Sequence, residues 1–218
     1  MIFVAIPAYD GRICAETAKS LLREQYQAAA EGLLIEVALL SGCSLITQAR
    51  NQLCRDFYES DCDRLVFIDS DVAWEPGALV RLAKHPVDVV GGAYRYKADE
   101  ESYPVEWLDR PELRADPATG LLEVASLPGG FLSISRAALD RLSDAYPQQA
   151  YTYKGHGYHG YFHAPIRGGG LWGEDAAFCV DWRNCGGQVW LDPELKLTHV
   201  GGHRRFEGCI GDWLRSLI

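Results

Sequence analysis

Arg64-Leu65-Val66-Phe67-Ile68-Asp69-Ser70-Asp71-Val72 is the stretch whose reading decides the fold. Leu65 to Ile68 is a continuous apolar run, rich in β-branched and aromatic residues and too short for a helix. Such a run reads as a strand buried on both faces, as in a helix-covered parallel sheet. It stops at two carboxylates spaced i, i+2, Asp69 and Asp71. Acids at the end of a buried strand need partners, because an unpaired charge in apolar surroundings is costly. A divalent cation is one natural partner, and oxygen ligands favour Mg²⁺ or Mn²⁺ over Zn²⁺. Open α/β sheets bind ligands at the carboxyl ends of their strands, so Asp69-Ser70-Asp71 is the first candidate site. The plainer alternative is a turn plus an N-cap for the helix that Glu75-Pro76-Gly77 begins.

On either side of this run the chain alternates strand and helix. Ile2 to Ile6 reads as a strand ending in the turn cluster Pro7-Ala8-Tyr9-Asp10-Gly11. Cys14 to Glu31 reads as a helix, Leu33 to Leu40 as a strand. Ile46 to Tyr58 reads as a helix with Ala49, Leu53 and Phe57 on one apolar face. Pro76 to Lys84 reads as a short helix started by its proline, and Val87 to Tyr96 as a strand. This alternation predicts an α/β fold with a mostly parallel central sheet flanked by helices. From Ala98 to Gly120 charge and proline dominate, which predicts an irregular or hairpin excursion. Strands are expected at Leu121 to Ser126, Phe131 to Ser135, Gln188 to Leu191 and Leu195 to Val200. Helices are expected at Arg136 to Tyr146, Glu174 to Asn184 and Gly208 to Ile218.

Length and composition bound the rest. The 218 residues suit one domain, and the 48% apolar fraction is ample for a core. Charged residues interrupt every apolar stretch before the roughly 18 residues that a membrane span needs. Met1 to Ala8 lacks the basic flank and cleavage site of a signal peptide. The seven cysteines are odd in number and form no C-x-x-C pair. Reduced thiols and a cytoplasmic setting are the expectation. A net charge of −9 argues against a broad polyanion-binding surface but leaves room for a local basic patch.

Three further motifs fall where ligands bind. Pro128-Gly129-Gly130-Phe131 carries paired glycines that let a backbone approach a ligand closely, or that simply turn. Gly173-Glu174-Asp175 places two acids at a helix start, where they serve as a base or merely suit the dipole and cap. Thr198-His199-Val200-Gly201-Gly202 ends an apolar strand on a histidine, either a hydrogen-bonded structural residue or a neutral metal ligand. Between Tyr146 and Gly173 lies a stretch without Asp or Glu, rich in glycine and aromatics. It reads as a long mobile lid. Its histidines 156, 159 and 163 invite zinc, but the neighbouring glycines argue against a helix presenting them. Aromatic faces suit sugar rings, and beside Lys154 and Arg167 they also suit nucleic-acid bases.

In order and spacing these motifs resemble the GT-A fold of nucleotide-sugar glycosyltransferases, in particular the small family 2-like members of bacteria and phages. The resemblance runs from Ile6-Pro7-Ala8-Tyr9 through Ala49-Arg50-Asn51, Phe67 to Asp71, Gly129-Gly130-Phe131 and Gly173-Glu174-Asp175 to His199. It implies one catalytic domain over 1–218, with a nucleotide-binding half, 1–97, and an acceptor half, 98–218, carrying the loop 146–173. It implies that Pro7, Ala8, Tyr9 and Asp10 hold the base and ribose of a UDP-sugar, with Arg50 and Asn51 supporting that side. Asp69, Ser70 and Asp71 would form a DXD motif on the ribose and diphosphate. Asp69, Asp71 and His199 would hold Mn²⁺ or Mg²⁺, and Gly129 and Gly130 would line the donor sugar. Asp175, with Glu174 beside it, would be the catalytic base of an inverting transfer. Trp172, Tyr158 and His159 would meet the acceptor, a glycan, a small molecule or a hydroxylated base in phage DNA. The Q-x-x-R-W motif of processive synthases is absent, so a single transfer per encounter is implied.

Two other classes compete. Sugar-1-phosphate nucleotidyltransferases resemble G-x-G-x-R near the first strand, which Pro7 to Arg12 does not match. A sugar-nucleotide-binding module without catalysis is the other, and the acids and the histidine speak against it.

Overall fold

Leu65, Val66, Phe67 and Ile68 are each fully buried and form a strand near the middle of a seven-stranded sheet. The computed structural model describes residues 1–217. Ile218, the last residue of the expected terminal helix, lies outside them.

The first half contains β1 (Ile2–Pro7), α1 (Ala15–Ala30), β2 (Ile35–Leu40), α2 (Ile46–Glu59) and β3 (Arg64–Ile68). It continues with β4 (Val72–Trp74), α3 (Ala78–Lys84) and β5 (Val89–Gly91). Then come β6 (Leu122–Val124), β7 (Phe131–Ser135), α4 (Arg136–Ala145), β8 (Ala150–Tyr153) and β9 (His156–His159). The chain closes with β10 (Ile166–Arg167), β11 (Gly170–Leu171), α5 (Glu174–Asn184), β12 (Val189–Leu191), β13 (Lys196–Gly201), β14 (Arg204–Cys209) and α6 (Ile210–Ser216).

The main sheet runs β2-β1-β3-β7-β5-β12-β6. β2, β1, β3, β5 and β12 run one way, while β7 and β6 run against them. β7, from the second half of the chain, lies between β3 and β5 from the first, so the sheet interleaves both halves. Side chains alternate across it. Phe3, Leu65 and Phe67 join a core with α2, α4 and α5, whereas Ile2, Val4, Val66 and Ile68 join another with α1 and α3. The apolar run of β3 is therefore apolar because both of its faces are covered.

Three expectations need revision. The strand expected from Val87 to Tyr96 is confined to Val89–Gly91, and Gly91 is glycine because a Cβ there would lie 2.9 Å from the Phe131 carbonyl. Proline does not start α3. Gly77 is the N-cap residue at φ 90°, and the buried Glu24 of α1 caps the helix from outside. Its carboxylate accepts from Gly77 N at 2.9 Å, Val80 N at 2.8 Å and the Trp74 indole at 3.2 Å. Lastly, 146–173 is not an irregular loop. It forms two hairpins, β8–β9 and β10–β11. Their two-residue turns, Lys154-Gly155 and Gly168-Gly169, have positive φ at both positions, as type I′ turns require. The glycines there serve turns. Residues 98–120 form the expected irregular excursion, tied back by bridges Glu106–Ser126 and Ala115–Leu122.

Asp192, directly after β12, is fully buried and accepts from Arg81 Nε at 2.6 Å, with the His85 ring at 2.8 Å. Burial raises its carboxyl, but His85 and Arg81 outweigh burial and hold it at about 2 rather than 3.8. A depressed carboxyl contributes stability above its unfolded value and loses it as pH falls through the folded value. The protein is therefore expected to lose about 2 kcal/mol from this group between about pH 4 and about pH 2. Asp192→Asn should remove that share of the acid-induced fall in Tm. An unchanged acid profile would exclude Asp192 as its source.

Candidate active site

β3 ends at Ile68, and the next three residues cross from the main sheet to β4, which belongs to a separate three-stranded sheet, β14-β13-β4. Asp69-Ser70-Asp71 occupies this step. Residues 69–72 do form a turn, Val72 N donating to the Asp69 carbonyl at 3.1 Å, but they cap no helix, since a strand follows Asp71 and Glu24 caps α3.

The two aspartates face different partners. Asp69 Oδ1 accepts from Arg50 Nη2 at 3.0 Å, and Oδ2 from the Tyr94 hydroxyl at 3.0 Å. Asp71 lies beside His199, which β13 brings alongside β4, His199 opposite Val72. His199 Nε2 is 3.6 Å from Asp71 Oδ1, and Lys97 pairs with Asp71 Oδ2. His199 Nδ1 lies 2.9 Å from the Arg95 carbonyl, which can only accept. The proton of the neutral ring is thus on Nδ1, and Nε2 turns a lone pair toward Asp71. At 3.6 Å the two are too far apart for a hydrogen bond. Burial raises the Asp71 carboxyl, yet the His199 ring, when it carries both protons, and the Lys97 ammonium outweigh it and hold it at about 2.

Arg50 joins this end of β3 to the second half of the chain. Arg50 is almost wholly buried, 3% exposed, with its guanidinium against the rings of Phe67 and Phe162. Besides Asp69 it donates to the Gly129 carbonyl at 3.1 Å and to Glu174 Oε1 at 3.2 Å. Burial alone would lower its pKa, but Asp69 and Glu174 outweigh burial and raise it. Gly129 and Gly130 are glycines for a reason of space. A Cβ on Gly130 would lie 2.3 Å from Asp69 Oδ2, and one on Gly129 3.0 Å from the Arg50 guanidinium. Asp69 N also donates to the Gly130 carbonyl at 3.0 Å. The pair thus packs against the acid cluster.

Glu174 and Asp175 open α5, whose N-cap residue is Gly173. Neither acid is the cap itself. Glu174 is committed to Arg50, while Asp175 Oδ1 accepts from Ala176 N at 2.8 Å and Oδ2 from Gly129 N at 3.3 Å.

The remaining expected residues divide. Pro7 to Asp10 lead out of β1, with Ala8 N bonded to Leu40 O at 2.8 Å and Gly42 N to Tyr9 O at 2.9 Å. Tyr9 is 66% exposed, and Ser70 O accepts from Cys14 N at 2.8 Å, which sets this loop beside the acid step. Asn51 points inward. Its amide donates to Phe162 O and accepts from Phe162 N, both at 2.9 Å, clamping the second half of the chain onto α2. Arg50 and Asn51 therefore have their polar groups engaged by protein and support the site from beneath. Trp172, beside α5, does not meet Tyr158 and His159, which line a cavity against α2. The histidines also part company: His163 binds Asp181 at 2.7 Å and His159 the Tyr146 carbonyl at 3.0 Å. Tyr94, Arg95 and Lys97 are site residues that no motif marks. Their one signal is Gly91-Gly92, where a Cβ on Gly92 would lie 2.8 Å from Leu197, so the chain must pass close to β13.

Comparison with solved structures finds GalNAc-T7 bound to UDP, GalNAc and Mn²⁺, at a TM-score of 0.51 and 14% identity over 92% of this chain and 44% of that chain. This chain has the GT-A fold. At such identity the likeness carries the fold alone. The catalytic domain of Drosophila β1,4-galactosyltransferase 7 with xylobiose is similar at a TM-score of 0.49 and 14% identity, over 87% of this chain and 63% of that one. S. aureus TarS 1-349 with UDP-GlcNAc is similar at 0.48 and 14%, over 88% and 55%. The chain thus spans less than two thirds of the length of each of these three. No family model matches the sequence, and no curated protein matches it. The GT-A sheet puts the acid step, the glycine pair and the start of α5 at one end of β3.

Proposed function

We propose that this chain is a glycosyltransferase that moves a sugar from a nucleoside-diphosphate donor, a UDP-sugar, to an acceptor hydroxyl with inversion. The observation that carries the reading is the convergence of Asp69, Asp71, His199, Glu174 and Asp175 around one strand end of a GT-A sheet. The loop Pro7 to Asp10 with Ser70 borders the place for base and ribose. Asp71 and His199 fit a Mn²⁺ or Mg²⁺ ion, whereas Asp69, expected as a third ligand, has its two oxygens engaged by Arg50 and Tyr94. The Arg95 carbonyl fixes the His199 ring with Nε2 available, the arrangement of a histidine ligand oriented by its second nitrogen. No third His, Cys, Asp or Glu joins them among the described residues, which suits a cation whose other ligands are diphosphate oxygens and water. When bound, the ion supplies Lewis-acid neutralisation of the departing diphosphate.

Asp175 is the residue proposed to take the acceptor proton, since Glu174 is held by Arg50. Each Asp175 oxygen accepts one backbone N–H and retains a second lone pair for the acceptor hydroxyl. Attack on the face opposite the diphosphate inverts the anomeric carbon. No helix among the described residues is long and apolar enough to cross a membrane, and all seven cysteines are free. A cytoplasmic enzyme is consistent with both.

The test is a panel of nucleotide sugars with Mn²⁺, read first by Tm and then by release of nucleoside diphosphate. One donor should raise Tm and be turned over. Stabilisation without any turnover would support a binding module instead. Asp71→Ala and His199→Ala should each weaken Mn²⁺-dependent donor binding at least about ten-fold, the size of effect seen on losing ligand-orienting groups. Undiminished binding in both variants would remove the metal assignment.

A further inference from the structure

We propose that a groove along the outer face of α2, roofed by the β8–β9 hairpin, binds single-stranded nucleic acid. Its role as the acceptor site rests on the glycosyl-transfer reading; its binding does not.

The groove consists of two adjoining cavities of about 500 and about 480 Å³ that share Arg55 and Tyr158. α2 supplies Gln48, Gln52 and Arg55, spaced i, i+4, i+7 on one face. The hairpin supplies Tyr151, Tyr153, Lys154, His156 and Tyr158. Acids outnumber Lys and Arg in this chain, 30 to 21, yet neither cavity is lined by a carboxylate. A chance stretch of this surface would carry several. Their exclusion from two connected cavities favours an anionic ligand.

The aromatic lining narrows the choice. Tyr151 and Tyr158 stack at 5.4 Å and 20°, and Arg55 lies 5.6 Å from the Tyr158 ring. Tyr151 and Tyr153 are 36% and 41% exposed, so ring surface is open to a ligand. Flat rings interleaved with cations match a chain that alternates bases with phosphates. Two cavities of small-ligand size, end to end, suit nucleotides laid out singly rather than a duplex. Arg55 is paired with Glu59, at 3.0 and 2.7 Å. Glu59 is 60% exposed, and a pair so open to water is weak and exchanges readily for a phosphate. One end of the groove is the segment Ser41 to Ser44, where Gly42 N binds Tyr9 O. The groove therefore opens beside the loop that follows β1, at the ligand end of the sheet.

The test is fluorescence anisotropy with a short labelled oligothymidylate, without donor or metal. Binding is expected at low salt, weakening with a log–log slope of about −0.7 per phosphate neutralised. Arg55→Gln combined with Lys154→Gln should weaken it about ten-fold or more and flatten the slope by about 1.4. Lys154→Gln alone, at an exposed hairpin tip, gives a smaller loss in the same direction and guards against misfolding. Tyr151→Ala and Tyr153→Ala should each weaken binding about ten-fold with the slope unchanged. Asp71→Ala should bind the oligonucleotide as the unaltered protein does, even if sugar transfer is never found. No binding at low salt, or full binding by the double variant, would overturn the proposal. Equal affinity for inorganic polyphosphate, or for a duplex, would overturn it as well.

Discussion

Asp175→Asn is expected to bind a UDP-sugar with Mn²⁺ normally and to transfer its sugar on the order of 10²–10⁴-fold more slowly. The residue sits in the first turn of α5, with one oxygen on Ala176 N and the other on Gly129 N. Asparagine has the same shape and keeps one acceptor oxygen. Its amide nitrogen must face one of those N–H groups, and the loss of one hydrogen bond costs about 1 kcal/mol. Folding should survive that. An amide, however, cannot take a proton from a hydroxyl. The contrast between intact donor binding and lost transfer thus separates a base from a helix-terminal acid, which would tolerate the change. Glu174→Gln serves as the companion. It weakens one arm of the Arg50 network and should lower stability more than it slows the chemical step. If Asp175→Asn transfers at a near-normal rate, the base lies elsewhere and the inverting mechanism loses its support.

The architecture was legible where burial dictates sequence. β3 is apolar on consecutive residues because two cores meet at it, and that pattern alone implied a covered sheet. The helix α2 was legible from the apolar face of Ala49, Leu53 and Phe57; Ser135, which accepts from Ala138 N at 3.0 Å to start α4, was read only as the end of a strand. Of the small sheet β14-β13-β4, only β13 was legible, as the strand expected from Leu195 to Val200. β4 has three residues, and β14, Arg-Arg-Phe-Glu-Gly-Cys, reads as a basic patch leading into a helix. Its strand character comes from pairing with β13 and from burial of Phe206, which are tertiary facts. In 146–173 the signal was present but weighed wrongly. Lys154-Gly155 and Gly168-Gly169 are two-residue turn sequences between short aromatic or aliphatic stretches, whereas glycine abundance suggested one long loop.

The site was legible in its acids and less so in its supports. A carboxylate pair at a strand end and another at a helix start announce themselves. Tyr94 and Lys97 do not, because they reach Asp69 and Asp71 from a segment without regular structure. Nor does sequence say which way Arg50 and Asn51 point. Both are polar residues in the middle of a helix, and only the packing of Phe67 and Phe162 around them shows that they face inward.

Arg50→Met is expected to destabilise the protein by about 3–5 kcal/mol, the usual consequence of removing one member of a buried charge network. The side chain is 4% exposed, and its partners Asp69 and Glu174 are 28% and 17% exposed. Without the guanidinium, two carboxylates and the Gly129 carbonyl lose their common donor in a largely water-free space. Arg50→Lys should recover only part of the loss, because one ammonium on a flexible stem cannot span three acceptors set in a fork. The decisive variant combines Arg50→Met with Asp69→Asn and Glu174→Gln. Replacing both sides of a buried pair can be nearly neutral, whereas breaking one side is not. If charge is the cause, the triple variant should regain most of the stability in urea unfolding. It should still fail to bind donor, because the link between the acid step and the start of α5 is gone. If the triple variant is no more stable than Arg50→Met alone, the loss comes from packing against Phe67 and Phe162. Arg50 would then be a core residue that happens to carry charge.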